Sequence, residues 1–276
     1  MRNFYLSIVL GFTISISGYG QKSDFNEKDF FNSLNSSYYT LSDQKIQNFA
    51  AFVTSLKFQV FADSMWKNQE IFPLQLIWFN PDDVYLSQLG VPKIESDKYK
   101  EYQEILDGLK LQLRGILLDL QRFYLNGLYK TISGDYKIQN NEEAVQITIR
   151  SETNNIVTKV KYLFGYNGLC LLNEISYPNQ KKVIVIYPRF KTVKNKWLCQ
   201  GWRVQTFVNG SVESGFELEL TNSFIYNKWV PSNIKIEVQK AEKKGTTFYD
   251  EISIKNYLFD QPLELKGKAA SKQKQP

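Results

Sequence analysis

The residue types that the chain lacks exclude most catalytic chemistry. There is no histidine, and the only cysteines are Cys170 and Cys199. Without histidine the chain has no Ser-His or Cys-His nucleophile system, and it lacks the commonest general base and the usual zinc ligand. Neither GxGxxG nor GxxxxGK[ST] occurs, so no phosphate-binding loop is predicted. We therefore expect no cofactor and no metal.

Carboxylates are the remaining acid–base groups, and glycoside hydrolases use two of them. Adjacent carboxylates stand at Asp82–Asp83, Glu142–Glu143 and Asp250–Glu251. Neighbours in a strand face opposite ways, and neighbours in a turn face solvent, so we interpret all three pairs as solvated surface charge. Asp119 is either a functional acid or a helix-surface charge paired with Arg122, and the spacing of three favours the pair. A carboxylate-based polysaccharide hydrolase is the third of our hypotheses, and we predict that the protein is not an enzyme.

The redox state of the two cysteines stays open at this point. In an oxidising compartment Cys170 and Cys199 form a disulfide that closes a loop of about 29 residues. The favoured alternative is two small buried apolar side chains.

The first twenty residues differ from the rest of the chain. Arg2 is followed by an apolar run from Phe4 to Ile16 and then by small residues. This pattern predicts a secretory signal peptide over residues 1–20, cut before Gln21; the alternative is a buried N-terminal strand. The run is shorter than the roughly 20 residues that span a bilayer, and no cysteine follows it for lipid attachment. We expect a periplasmic or secreted protein.

The net charge of +6 is concentrated at the two ends of the chain. Arg2 leaves with the signal peptide, and the tail from 266 to 276 carries four lysines and no acid, so the body between has about +1. A nucleic-acid-binding protein needs a basic face, which excludes that partner. Residues 263–276 are predicted to be a basic disordered tail, with peripheral contact to an anionic membrane surface as the alternative.

Residues 97–127 carry the longest helical pattern. Ser96 or Asp97 is the expected cap, and Asn126 with Gly127 ends the helix. Gly108 and Gly115 each weaken it by about 1 kcal/mol relative to Ala. Its apolar residues recur every three or four positions and form one face: Tyr99, Tyr102, Leu106, Leu109, Leu113, Ile116, Leu117, Leu120 and Tyr124.

The segment before this helix is more mixed. A first helix is predicted to begin near Asp24, with Phe30, Phe31 and Leu34 as its apolar stripe. A second helix or a strand follows between Ile46 and Val60, and the alternation in LKFQVFADS favours a strand for its second half. A strand is also predicted from Leu74 to Phe79.

Beyond residue 130 the apolar period changes from 3.6 to 2, which indicates strands. Turn motifs separate about eight alternating segments, as in an antiparallel meander with one apolar face. Residues 183–187 are apolar on both parities, which predicts a central strand covered on both faces. The residues predicted to face inwards are Val145, Ile147, Ile149, Ile156, Val160, Tyr162, Phe164, Phe216, Leu218, Leu220, Phe224, Tyr226, Ile234, Ile236, Val238, Phe248, Ile252 and Ile254.

An apolar sheet face must be covered, and the predicted helices are the available cover. The predicted fold class is therefore α+β, with a strongly curved antiparallel β-sheet (a half-barrel) covered by the N-terminal and central helices. No linker and no repeat interrupts the pattern, so we predict a single domain over residues 21–262.

Three late segments carry a resemblance to a known superfamily. GYNGLCLL, NKWVPSNIKIEV and GTTFYDEISIKNYLF resemble a strand-turn-strand, a Trp-x-Pro strand entry and the closing strand of the bacterial envelope half-barrel proteins. These are the lipoprotein-carrier and lipoprotein-receptor superfamily, which includes outer-membrane lipoprotein-sorting proteins. The resemblance implies a curved sheet around an apolar cavity that receives acyl chains without covalent chemistry.

Our first hypothesis is an exported, non-enzymatic protein that binds a lipid, an acyl chain or another apolar ligand between sheet and helices. The alternative is an exported protein-interaction or structural module with a filled core. We expect a monomer whose partner is a lipid or a lipoprotein acyl chain. The predicted ligand-binding residues are Tyr162, Phe164, Phe216, Leu218, Ile236 and Ile252 from the sheet, and Leu113 and Leu117 from the long helix.

Overall fold

A computed structural model describes residues 25–64, 74–80, 83–88, 93–132, 134–140, 144–153, 155–239 and 246–262. The predicted signal peptide, the basic tail, Asp24, Asp82 and the pair Glu142–Glu143 lie outside the described residues. The helices and short strands come first in the chain, and the long strands follow. The elements are α1 (Glu27–Ser37), β1 (Asn48–Ser55), α2 (Leu56–Ser64), β2 (Leu74–Phe79), β3 (Asp83–Gln88), α3 (Tyr99–Leu120), α4 (Leu128–Thr131), β4 (Tyr136–Asn140), β5 (Ala144–Thr153), β6 (Ile156–Gly165), β7 (Cys170–Tyr177), β8 (Lys182–Val193), β9 (Lys196–Val208), β10 (Ser211–Ile225), β11 (Lys228–Gln239) and β12 (Thr246–Phe259).

The strands form one open antiparallel sheet, which confirms the predicted antiparallel class. Its order within the described residues is β3-β2-β1-β12-β11-β10-β9-β8-β7-β6-β5-β4. From β4 to β12 every strand pairs with the next, as predicted for a meander. The first three strands continue the sheet beyond β12, because β1 pairs with β12. Alternation along the sequence does not predict this long-range junction.

The burial of the strands follows the predicted alternation except near bulges and strand ends. Ile156, Phe216, Phe224, Tyr226 and Phe248 were predicted to face inwards, but they are exposed. Phe216 lines the cavity described below. For Phe248 the cause is a register shift: Ile236 pairs with Asp250 whereas Glu237 pairs with Phe248, so the intervening residue reverses the alternation. Ile156, Phe224 and Tyr226 lie at or near strand ends next to turns.

Strand β8 is central, as predicted from its apolar residues on both parities. It lies between β7 and β9 in the interior of the sheet. Val185 and Ile186 point to opposite faces, and both are buried.

Helix α3 buries the predicted apolar face, although its start differs from the prediction. It begins at Tyr99 without a side-chain cap, so the predicted cap by Ser96 or Asp97 is wrong. A π-helical turn, Gln121–Leu125, extends it to Asn126, close to the predicted end. Its buried residues are Tyr102, Leu106, Leu109, Leu113, Ile116, Leu117 and Leu120.

The predicted strand in LKFQVFADS is wrong, because these residues form helix α2. Phe58 and Ala62 lie four positions apart and are both buried, which is helical spacing. The strand of this region precedes the helix and is β1. Helix α1 ends at Ser37, and Asn26 caps its start by accepting a hydrogen bond from the backbone N–H of Asp29 (3.2 Å).

The buried apolar residues form one hydrophobic cluster that joins the helices to the sheet. It includes Phe30 and Leu34 of α1, the buried face of α3 and side chains from most strands. Among the described residues, none of the helices combines the length and the apolar character needed to cross a membrane.

Candidate functional site

A cavity of about 580 Å³ lies among residues of two helices and of the late strands. Most of the lining side chains are apolar. They are Phe58 and Phe61 of α2, Ile105, Leu109, Leu111 and Ile116 of α3, Trp202 of β9, Phe216 and Leu218 of β10, Ile236 and Val238 of β11, and Tyr249 of β12, together with Ser55, Lys57, Gly108, Gln112, Gly115, Asp119 and Asp250.

Two glycines of α3 leave space in the wall of the cavity. Gly108 and Gly115 both line it, and a Cβ atom built on either would meet nothing within 4 Å. Each costs the helix about 1 kcal/mol relative to Ala, and no neighbouring atom requires a glycine there. Their spacing of two helical turns, which puts both on one face, is the signal in the sequence that indicates this opening.

The mouth of the cavity is marked by exposed side chains. Leu111 has 72% of its surface exposed, and Phe216 and Tyr249 are also exposed. The ammonium group of Lys57 lies 4.1 Å from the centre of the Tyr249 ring. The cavity is therefore open to solvent on this side.

Asp250 is a buried helix cap, so its interpretation as solvated surface charge is wrong. Its residue is 1% exposed. One carboxylate oxygen accepts the Ser55 hydroxyl (2.8 Å), and the other accepts the backbone N–H of Lys57 (3.0 Å) and of Glu251 (2.8 Å). Ser55 Oγ in turn accepts the Phe58 N–H (3.1 Å). These bonds satisfy first-turn donors of α2 and explain why a helix starts there.

Asp119 has the predicted partner but not the predicted surface position. Its carboxylate lies 3.1 Å from Arg122 Nη1, and the two side chains are 16% and 19% exposed. Arg122 also donates to the side-chain oxygen of the buried Asn173 (3.4 Å). Burial raises the pKa of Asp119 to about 6, although the Arg122 charge and the Trp202 indole act to lower it.

Two lining side chains carry hydrogen-bond donors without an acceptor. The indole Nε1 of Trp202 and the amide Nε2 of Gln112 are buried, and neither has a hydrogen-bond partner among the described residues. Trp202 is fully buried. Donors without a well-formed hydrogen bond are costly in an apolar interior, so a ligand group that accepts from either of them is favoured there.

The predicted ligand-binding residues divide into two groups by position. Phe216, Leu218 and Ile236 line the cavity. Leu113, Leu117 and Ile252 are buried in the core and are not among the residues that line the cavity.

Tyr162 and Phe164 lie in another part of the core. Their rings stack with centroids 6.0 Å apart, and Phe164 meets Phe30 of α1 edge-on at 5.8 Å. Both are buried. Their contacts are those of a packed core beneath α1.

Both cysteines are free thiols buried in the core. Burial raises the pKa of Cys170 to about 12 and that of Cys199 to about 12. The backbone N–H of Cys170 donates to the hydroxyl of Tyr38 (2.7 Å), which donates to the carbonyl of Gly168 (2.7 Å). Within the described part of the chain, no group of three or more acidic or cysteine side chains is placed to hold a metal ion.

No protein-family model, no curated protein and no solved structure matches the chain. The resemblance to the envelope half-barrel superfamily therefore stays a prediction from the three late segments, and the site has to be interpreted from its own geometry.

Proposed function

We propose that the protein is exported and that it binds a lipid, an acyl chain or another apolar ligand in the cavity, without covalent chemistry. The observation that carries the proposal is the open cavity of about 580 Å³, within the range of about 300–1,000 Å³ typical of small-molecule sites. The half-barrel arrangement, with α2 and α3 as the cover of a curved sheet, is part of the same proposal.

The carboxylates that line the cavity favour binding over hydrolysis. Asp250 uses both oxygens to cap α2, and Asp119 is paired with Arg122. A glycoside hydrolase needs one carboxyl group free to protonate the leaving group and a second free to attack or to activate water. The alternative of a filled interaction module is disfavoured by the cavity and by Gly108 and Gly115, which leave its wall open.

Co-purified ligand tests the proposal directly. The full chain is purified without detergent, and native mass spectrometry is followed by organic extraction and mass analysis of the extract. We expect apolar molecules bound at a defined stoichiometry. A protein that carries none, and that takes up no long-chain probe from solution, contradicts the proposal.

Filling the cavity is the sharper test, because it separates binding from folding. Gly115→Leu places a side chain at the open wall, and removal of a helix glycine raises stability by about 0.8–1 kcal/mol. We expect stability to rise while uptake of a fluorescent fatty-acid probe falls at least about tenfold. Ile116→Phe, which enlarges a lining residue, should act in the same direction on binding.

The matched control is Arg114→Leu, which adds an apolar side chain at the neighbouring position. Arg114 is exposed and is not among the lining residues. The Arg114→Leu variant should bind the fluorescent probe as tightly as the wild type does. Equal probe binding by the Gly115, Ile116 and Arg114 variants means that the cavity is not the binding site.

A further inference from the structure

The buried end of the cavity has one donor and one acceptor on facing elements. Trp202 contributes an indole N–H from β9, and Asp119 contributes a carboxylate from α3. A hydrogen-bond interaction with the indole acts to lower the pKa of Asp119, so the two groups are neighbours, but within the described part of the chain the N–H has no partner at the distance and angle of a well-formed hydrogen bond. Both groups line the same cavity, so a polar group of a ligand in this end of the cavity meets both of them.

The charge at this end is already balanced. Asp119 lies 3.1 Å from Arg122, and the cavity wall around Asp119 and Trp202 is apolar. A charged ligand group placed here would be a buried charge without a counter-ion, which is strongly unfavourable. The polar group that fits is therefore neutral.

We propose that the buried end of the cavity binds the hydroxyl group of a long-chain apolar ligand, which accepts from Trp202 Nε1–H and donates to the Asp119 carboxylate. A hydroxyl group offers one donor and two acceptor lone pairs, which matches this site. An ether only accepts, and an alkane does neither. This assignment of ligand class rests on the proposed function, and it adds the orientation: the polar group enters first, and the chain extends toward Leu111 and Phe216 at the mouth.

The test compares ligands of matched length in displacement of a fluorescent apolar probe from the full chain. The ligands are 1-decanol, 1-methoxynonane, n-undecane and decanoate at pH 7.5. A hydrogen bond to a charged acceptor contributes about 1.5–3 kcal/mol, so 1-decanol should bind at least about tenfold more tightly than the ether. The ether should bind more tightly than the alkane, because it accepts from Trp202.

Two variants assign the bonds to the two side chains. Trp202→Phe removes the N–H and keeps an aromatic ring, so it should abolish the advantage of the ether over the alkane. Asp119→Asn replaces a charged acceptor by a neutral one, so it should reduce the advantage of the alcohol over the ether to about twofold. Circular dichroism and urea midpoints establish that each variant is folded.

The outcomes distinguish this inference from the proposed function. Equal affinities for alcohol, ether and alkane, or tightest binding of decanoate, overturn the hydroxyl site while apolar binding stands. If neither the probe nor any of the four ligands binds, both proposals are overturned. Alcohol preference that persists in both variants also overturns the assignment to Trp202 and Asp119.

Discussion

Asp119 combines an apolar environment, a guanidinium partner and a place in the cavity wall. Its sequence context predicts the partner, because Arg122 follows at helical spacing, but it does not predict the burial. The side chains that bury it, among them Trp202, come from strands about 80 residues later in the chain. Helical spacing therefore predicts the ion pair between Asp119 and Arg122. It does not predict that the pair is buried.

Because the pKa of Asp119 is raised, the free energy of unfolding should depend on pH. The native state binds a proton more tightly than the unfolded chain, so the free energy of unfolding falls as pH rises from about 4 to above 6. A shift from 3.8 to about 6 corresponds to about 2–3 kcal/mol over that window. The charged or titratable groups that act on Asp119 are Arg122 of its own helix and Cys199 of β9; Cys199 stays neutral in this range.

Urea unfolding at pH 4, 5, 6 and 7 measures this effect. Asp119→Asn should remove this decrease in the free energy of unfolding. The free energy of unfolding of the wild type minus that of the variant should therefore change by about 2–3 kcal/mol between pH 4 and pH 7. Asp107→Asn, an exposed carboxylate of the same helix, is the matched control and should give a nearly constant difference. A constant difference for Asp119→Asn shows that this carboxyl is not buried as described.

The strands and helices show which structural information is local. The long helix and the meander follow from periods of 3.6 and 2, so they are predictable from sequence. Helix α2 is not, because its cap comes from Asp250, 195 positions from Ser55. Likewise the bulge at Tyr249 depends on pairing with β11, and alternation within β12 alone does not indicate it.

Gly201 of β9 is a second position where a distant strand restricts which residue type fits. It has φ of +131°, and a Cβ atom there would lie 2.0 Å from the carbonyl oxygen of Leu218 in β10. Gly201→Ala should therefore reduce the free energy of unfolding by at least about 3 kcal/mol, as measured in urea. It lies next to Trp202, so the same change should weaken probe binding.

Gly210→Ala is the matched control for backbone strain. Gly210 has φ of +80° and no atom within 4 Å of a built Cβ. Gly210→Ala should reduce the free energy of unfolding by only about 1–2 kcal/mol, which is the cost of the left-handed conformation. Similar losses at both positions contradict the close approach of β9 to β10.

The core connects the helices and the sheet into one cooperative unit. One hydrophobic cluster includes residues of α1, α3 and most strands. The sequence predicts the side chains that α3 and the alternating strands contribute to it, but not Tyr38, Trp78 or Trp202, and not that a cavity persists beside it. A cavity depends on where side chains are missing in three dimensions, and of its determinants only the spacing of Gly108 and Gly115 is visible along the chain.

The two thiols report on the opening of this core. Cys170 and Cys199 are buried, with pKa values raised by that burial, so neither should react with Ellman's reagent in the native state. The labelling rate should equal the rate of global unfolding measured by circular dichroism. A Ser211→Cys variant, with a thiol at an exposed site, should be labelled at once, and rapid labelling of Cys170 or Cys199 contradicts the described packing.

The position of β12 has a consequence for the order of assembly. From β5 to β12 each strand pairs with the strand synthesised just before it, whereas the second edge of β1 pairs only with β12, where Ser55 lies opposite Ile252. Such a distant pairing is slow to form, because loop closure precedes the contacts that reward it. Since Asp250 of β12 also fixes the start of α2, the cavity wall is completed only in this last step. A nascent chain therefore lacks the complete cavity wall until β12 has emerged from the ribosome.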